Sequence, residues 1–377
     1  MAVTQPLPAR VGDSILDIDT PALVMDMAAF EANVARMAAQ AQRLGVALRP
    51  HAKSNKCVEI ARRQIAAGAV GVCVQKVSEA VALADEGIDD ILICNEIIGD
   101  RKIAALVGLS SRIRVAACVD DLDNVAAIAR LAQAARSTVA LMIEVNVGQG
   151  RCGVAPGDPV LQLAQAITAA PYLKLAGLQA YHGGAQHIRD VPQRAAAARA
   201  AIVQAAIARD ALVTAGIPCP VVSGAGTDTF PYEGASGVYT EIQPGSYVFM
   251  DADYNRNEWD EAGAGGAPFC QSLHVLAAVM SRVQPGRAIV DAGLKALAVD
   301  SGMPIVSGLP GVVYEQESDE HGILLVEPGA RAPCLGEQVR LIPGHCDPTV
   351  NLYDWLVVTR GDRVEDIWQI TARGCLG

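Results

Sequence analysis

Lys53 closes the apolar run VALRPHAK, residues 46–53. Desolvation at the end of a buried strand disfavours an ammonium, which makes that lysine a competent amine for an imine with an aldehyde cofactor. The plainer reading is a surface lysine opening the next helix. His345 and Asp347 stand two apart in GHCDPT, residues 344–349. On a strand, positions i and i+2 share a face, so an imidazole and a carboxylate would point together. That pair suits Mn, Mg, Zn or a similar divalent ion with open positions for water and substrate. Cys346 would then face away. The plainer alternative is a strand-end histidine and an aspartate capping the turn at Pro348.

Three further segments carry candidate chemistry. In QAYHGGAQH, residues 179–187, Tyr181 ends a strand and His182 and His187 follow in a Gly-containing loop. An imidazole there can act as a general base near neutral pH, or be an ordinary loop histidine. SGAGTDT (223–229) and QPGSY (243–247) are Gly/Ser/Thr turns after late strands. Their backbone N–H groups can nest an anion, and barrels often bind phosphate on their last loops. Neither is a Walker loop or a G-x-G-x-x-G turn, and turn glycines have an ordinary use too. NVGQGRCGV (146–154) sets Arg151 on a Gly-rich loop, where it can bond a cofactor oxygen or form a structural ion pair.

These residues need a scaffold. Nine candidate strands cover 22–26, 46–53, 69–75, 90–96, 114–120, 139–147, 174–181, 220–226 and 241–249. Several are continuous apolar runs, as strands buried on both faces should be. Helical stretches such as 27–45 and 191–216 lie between them. Repeated β–α units over about 230 residues favour a (β/α)8 TIM-type barrel, so one of the nine candidates is wrong or belongs elsewhere. After about residue 255, strands follow one another: 272–281, 287–293, 323–329, 338–345, 351–360 and 363–371. That pattern predicts a mostly antiparallel β domain, with a linker near NEWDEAGAGGAP, residues 257–268.

Composition narrows the class. The chain has 377 residues, long enough for two structural units, and no uninterrupted apolar stretch reaches the ~18 residues of a spanning helix. A net charge of -11 repels phosphate backbones, which argues against nucleic acid as a partner. The N-terminus lacks an apolar signal core, and the ten cysteines form no C-x-x-C pair. A cytoplasmic protein with reduced thiols is expected, without a membrane partner.

Taken in order, DIDTPALV, RPHAK, GVCVQKVSEA, VGQGRCGV, LQAYHGGAQH, SGVYTEIQPGSYVFMDADY, DAGLK, DEHG and GHCDPT resemble the D-threonine aldolases, and the resemblance runs from about residue 15 to the ARG motif at 372–374. These are fold-type III pyridoxal-phosphate (PLP) enzymes with an alanine-racemase-like barrel. The resemblance implies a segment 1–25 that joins the β domain, a PLP-binding barrel at 26–255 and a β domain at 256–377 carrying the metal ligands. It also implies a homodimer. Lys53 would hold PLP, and His345 and Asp347 the divalent metal. His187 would deprotonate the substrate hydroxyl. Arg151 and Tyr181 match cofactor contacts, as do Gln75, Gly226, Thr227, Gly245, Ser246 and Tyr247. Asn55 departs from the family pattern, which has His two residues after the lysine. An amide can still donate and accept hydrogen bonds there.

The implied reaction is retro-aldol cleavage of a D-3-hydroxy amino acid, such as D-threonine or D-phenylserine, to glycine and an aldehyde. The neighbouring alternatives are 3-hydroxy-D-aspartate aldolase and a D-serine or 3-hydroxyaspartate dehydratase. The first would want a cation for the β-carboxylate, with Arg256 and Lys295 as candidates. A non-catalytic PLP-binding protein and a PLP-free metal hydrolase are the readings from other classes.

Overall fold

The computed structural model describes residues 5–259 and 269–377, so most of the linker expected at 257–268 lies outside the described residues. Along the chain, β1 (Ala22–Asp26) precedes eight strands: β2 (Ala47–Leu48), β3 (Val72–Val74), β4 (Asp90–Glu96), β5 (Arg114–Val119), β6 (Val139–Glu144), β7 (Leu173–Ala180), β8 (Val221–Gly224) and β9 (Glu241–Ile242). Eight more follow: β10 (Leu273–Ser281), β11 (Arg287–Val290), β12 (Ile305–Ser307), β13 (Val312–Glu317), β14 (Gly322–Val326), β15 (Gln338–Ile342), β16 (Trp355–Arg360) and β17 (Arg363–Gln369). The helices are α1 (Met27–Leu44), α2 (Val58–Ala66), α3 (Val77–Asp85), α4 (Asp100–Ser110), α5 (Leu122–Ala135), α6 (Asp158–Ala169), α7 (Val191–Thr214), α8 (Phe230–Gly234) and α9 (Cys346–Val350).

The chain divides into two compact units. One comprises Arg36–Lys53, Val58–Gly245 and Cys375–Gly377. Its strands pair in the order β2-β9-β8-β7-β6-β5-β4-β3, all parallel. A parallel bridge between His51 and Cys73 joins the two end strands and closes the ring, as a (β/α)8 barrel requires. Ile91, Ile93, Val115, Leu141 and Ile143 face outward and are buried under Leu83, Leu106, Ile128 and Leu163 of the helices. Their neighbours Leu92, Cys94, Cys118 and Met142 fill the interior. Burial of both faces is why these strands read as unbroken apolar runs.

The helices start and stop on local signals. Asp121 caps α5 through Asp123 and Asn124 N–H at 2.7 and 3.2 Å. Asp190 caps α7 through Gln193 N–H at 2.9 Å, with Pro192 in the first turn. Ala195, Ala198, Ala201, Ala205, Ala208 and Leu212 make its buried stripe, three or four residues apart.

The other unit comprises Met1–Ala35, Ser54–Cys57 and Ser246–Gly374. Its sheet runs β13-β14-β11-β10-β1-β16-β17, with β15 joining β10 and β12. Every pairing is antiparallel except β1 with β16. β1 is therefore the ninth candidate strand: it lies between β10 and β16, not in the barrel. Strands β12 and β13 went unmarked in the sequence reading. No helix among the described residues is long and apolar enough to cross a membrane.

Candidate active-site residues

In the barrel unit, Lys53 lies in a 3-10 turn, Ala52–Ser54, just past the short β2, and its side chain is half-buried. Its backbone N–H reaches Nδ1 of His51 at 3.3 Å. The other ring nitrogen of His51 lies 2.9 Å from Nε2 of Gln75, at the end of β3. Gln75 is held in turn by its N–H to Glu79 at 2.8 Å and its carbonyl to Asn95 at 3.1 Å. Two expected residues, Lys53 and Gln75, are thus linked through His51, a partner the sequence reading did not single out.

Arg151 stands half-exposed, 3.8 Å from Oε1 of buried Glu144 at the end of β6. Burial, and then the neighbouring Glu96 carboxylate, push the Glu144 carboxyl up to about 8. Glu96 at the end of β4, Asp120 just past β5 and Cys152 beyond β6 gather their ligand atoms within 4.8 Å of one another.

Tyr181 follows β7, and His187 ends the 3-10 turn Gly183–His187 and is exposed. His182 is half-buried, and burial lowers its pKa. The turn after β8 is tight, with Ala225 in the left-handed region at φ 66°. A Cβ on Gly226 would meet Gln186 at 2.4 Å, so this glycine makes room for a protein side chain. Gln186 in turn accepts from Asp228 N–H at 3.0 Å and donates to Thr229 at 2.8 Å. Thr227 is buried in that turn, and Gly245 follows β9 at the end of the unit.

In the other unit, Ser246 and Tyr247 open a buried 3-10 turn, with the Tyr247 ring 5.5 Å from that of Phe269. Asn55 is 1% exposed, its Oδ1 accepts from Cys57 N–H at 3.0 Å, and its Nδ2 has no partner. A buried amide donor with no acceptor costs about 1–3 kcal/mol.

His345 and Asp347 are not on a strand. His345 has extended backbone (φ -144°, ψ 123°) and is the N-cap of α9, and Asp347 sits in the first turn. The strand-face argument fails, because Pro348 fixes its own φ in the helical range and turns the chain just past β15. Cys346 does not face away either, since its Sγ lies 3.3 Å from Oδ1 of Asp347.

Two residues outside the motif shape this corner. Nδ1 of His345 lies 2.7 Å from Oδ2 of Asp300, which leaves Nε2 for a cation, as ligating histidines commonly arrange. Asp251, fully buried, accepts from Cys346 N–H and Tyr254 N–H, both at 2.8 Å, and burial raises its pKa. Gly344 packs so closely that a Cβ would lie 1.9 Å from Gly302 O. Arg256 donates to Asp253 and to Ser301 O, both at 2.6 Å, and Lys295 donates to Glu320 at 2.5 Å.

Comparison with known proteins covers both units. Residues 25–253 match the family model "Alanine racemase, N-terminal domain", and residues 272–359 match "Putative serine dehydratase domain". A D-threonine aldolase of Arthrobacter sp is 49% identical over 99% of this chain and 97% of its own. A 3-hydroxy-D-aspartate aldolase of Paracoccus denitrificans (strain Pd 1222) is 41% identical over 98% of this chain and 95% of its own. The crystal structure of D-threonine aldolase from Filomicrobium marinum is 47% identical, with a TM-score of 0.95 over 98% of this chain and 100% of that one.

Proposed function

This chain belongs to the D-threonine aldolase family, and on that premise we propose that it cleaves the Cα–Cβ bond of D-3-hydroxy amino acids, releasing glycine and an aldehyde. The observation that carries the proposal is the end-to-end similarity, which spans both units at 49% identity.

The residues present fit PLP. A lysine just past a barrel strand can hold the aldehyde group, and the unpartnered Nδ2 of Asn55, two residues on, offers a donor. PLP, when bound, supplies a sink for the electron pair left on Cα as the bond breaks. Lys53 holds the cofactor. By the family resemblance, Gln75, Arg151 and Tyr181 would orient it, and the turns at Gly226–Thr227 and Gly245–Ser246–Tyr247 would serve its phosphate.

The donor set also fits a divalent metal such as Mn or Mg. His345 presents Nε2 because Nδ1 is engaged by Asp300, and Asp347 supplies a carboxylate in the adjoining turn. Such a metal, when bound, makes a hydroxyl more acidic. His187 takes the hydroxyl proton on its imidazole nitrogen, and that oxygen becomes the aldehyde carbonyl. The protein works as a homodimer in the cytoplasm.

A second reading, cleavage of 3-hydroxy-D-aspartate, is favoured by the 41%-identical relative. A β-carboxylate would need a cation, and the two candidates Arg256 and Lys295 are already engaged by Asp253 and Glu320. D-threonine or D-phenylserine is the better substrate on that ground. Comparing initial rates on D-threonine, D-phenylserine and 3-hydroxy-D-aspartate tests the choice. A strong preference for 3-hydroxyaspartate would overturn the substrate assignment, and no cleavage of any of the three would overturn the reaction.

A further inference from the structure

Inside the barrel, a ring nitrogen of His51 and the sulfurs of Cys73 and Cys94 all lie within 4.8 Å of one another. The three residues are 8%, 0% and 3% exposed. Cys118, also buried, packs in the same interior cluster. Cys73 sits on β3 opposite Leu92 of β4, so Cys94 is its diagonal neighbour, two residues further along. Diagonal neighbours on adjacent strands are about 7–8 Å apart, beyond the ~7 Å that a disulfide can bridge without backbone movement. A tetrahedral ion with metal–sulfur bonds of about 2.3 Å instead holds two sulfurs about 3.8 Å apart. Two thiols and an imidazole suit soft or borderline cations, whereas Mg and Mn prefer oxygen.

A second observation points to the same place. A cavity of about 350 Å³ opens where β4 and β5 begin, at Asp90 and Arg114. Its walls include Leu92, Met142, Ala176 and Val221, which also pack in the cluster containing Cys73, Cys94 and Cys118.

We propose that His51, Cys73 and Cys94 form a site for a soft divalent cation of the Zn2+ or Cd2+ kind, entered from the N-terminal end of the barrel. On binding, two S–H bonds give way to two metal–sulfur bonds and two protons pass to solvent. The ring contributes a lone pair. Two thiolates neutralise the dication, which is what allows it in a buried place. His51 Nδ1 accepts the Lys53 N–H at 3.3 Å and the other ring nitrogen pairs with Gln75 at 2.9 Å. Ligation takes over one of these nitrogens, so an occupied site breaks the His51 contact either with Lys53 or with Gln75, both of them residues assigned to the cofactor. Binding itself stands apart from the aldolase proposal, and only the inhibition rests on it.

The experiment uses PLP-loaded protein in excess Mg2+, given one equivalent of Cd2+ and desalted. Retained cadmium is counted, its thiolate charge-transfer absorption is recorded, and X-ray absorption reads the atoms around it. One cadmium per chain with two sulfur neighbours is expected, together with a fall in cleavage rate of about tenfold or more. The double variant Cys73→Ser/Cys94→Ser should retain less than about a tenth as much. Cys152→Ala should behave as the parent, because the trio Glu96, Asp120 and Cys152 can offer only one sulfur. A cadmium shell in the parent with fewer than two sulfurs overturns the site whether or not the variants fold. A two-sulfur signal that survives the double substitution overturns it as well. A two-sulfur shell without inhibition refutes the link to Lys53, and an absence of cleavage before cadmium is added counts against the aldolase reading alone.

Discussion

Replacing Asp300 separates the support of the proposed metal ligand His345 from that ligand itself. Its Oδ2 lies 2.7 Å from His345 Nδ1. Were a metal held on Nε2, Nδ1–H would donate to that carboxylate, which fixes the ring's orientation. Partners of this kind are worth about 10–100-fold in metal affinity. The Asp300 side chain is 55% exposed and that of His345 27%, so water takes over part of the role and the lower half of that range applies. Asp300→Ala should weaken Mn2+ about 10–30-fold, or about 1.4–2 kcal/mol. Asp300→Asn keeps a neutral acceptor and should lose about 3–10-fold. The assay titrates Mn2+ into metal-depleted, PLP-loaded protein and follows aldehyde release from D-threonine. The half-saturating Mn2+ concentration should rise, while the rate at saturating Mn2+ stays within about twofold. An unchanged half-saturation in Asp300→Ala would refute the reasoning. So would a rate loss that saturating metal does not restore.

Other consequences follow from single residues. Lys53→Ala should abolish the visible absorbance of the bound cofactor along with cleavage, and an unchanged spectrum would move the cofactor amine elsewhere. Burial pushes the Glu233 carboxyl up to about 8 from an ordinary value of 4.5. Between those values the folded chain keeps a proton that the unfolded chain has released, so stability falls as pH rises through that window. Glu233→Gln should remove that slope, a gain at pH 8 relative to pH 5 with a ceiling of about 4 kcal/mol, and parallel pH–melting profiles for the two proteins would contradict it. Asp251→Ala strands two buried N–H groups, Cys346 and Tyr254, and should cost about 2–4 kcal/mol in chemical denaturation; an unchanged midpoint would show that water or another group satisfies them.

Much of the scaffold was legible because barrel strands are buried on both faces and separated by capped helices. The same property caused the miscount. Ala22–Asp26 is a continuous apolar run that is buried almost throughout, and the run cannot reveal whether its neighbours are parallel or antiparallel. Val312–Glu317 went unseen because only Val312 and Tyr314 are buried, with charged and amide residues following. At His345 and Asp347 the local geometry was not readable from the sequence. Pro348 in the first turn and Asp347 before it are helix-start signals, and they outweigh strand alternation in so short a segment. Asp300 and Asp251 had no spacing to betray them, lying 45 and 95 residues from their partners. At Gly226 the sequence suggested an anion turn, and the structure adds a packing reason for glycine, since its missing Cβ accommodates Gln186.

The most direct test of the central claim is the carbon balance of D-threonine turned over by PLP- and Mn2+-loaded protein. Cleavage predicts glycine and acetaldehyde in equal amounts, no ammonia, and both products lost after exhaustive chelation and regained with Mn2+. A 2-oxo acid with an equal amount of ammonia would make the chain a dehydratase and contradict the account.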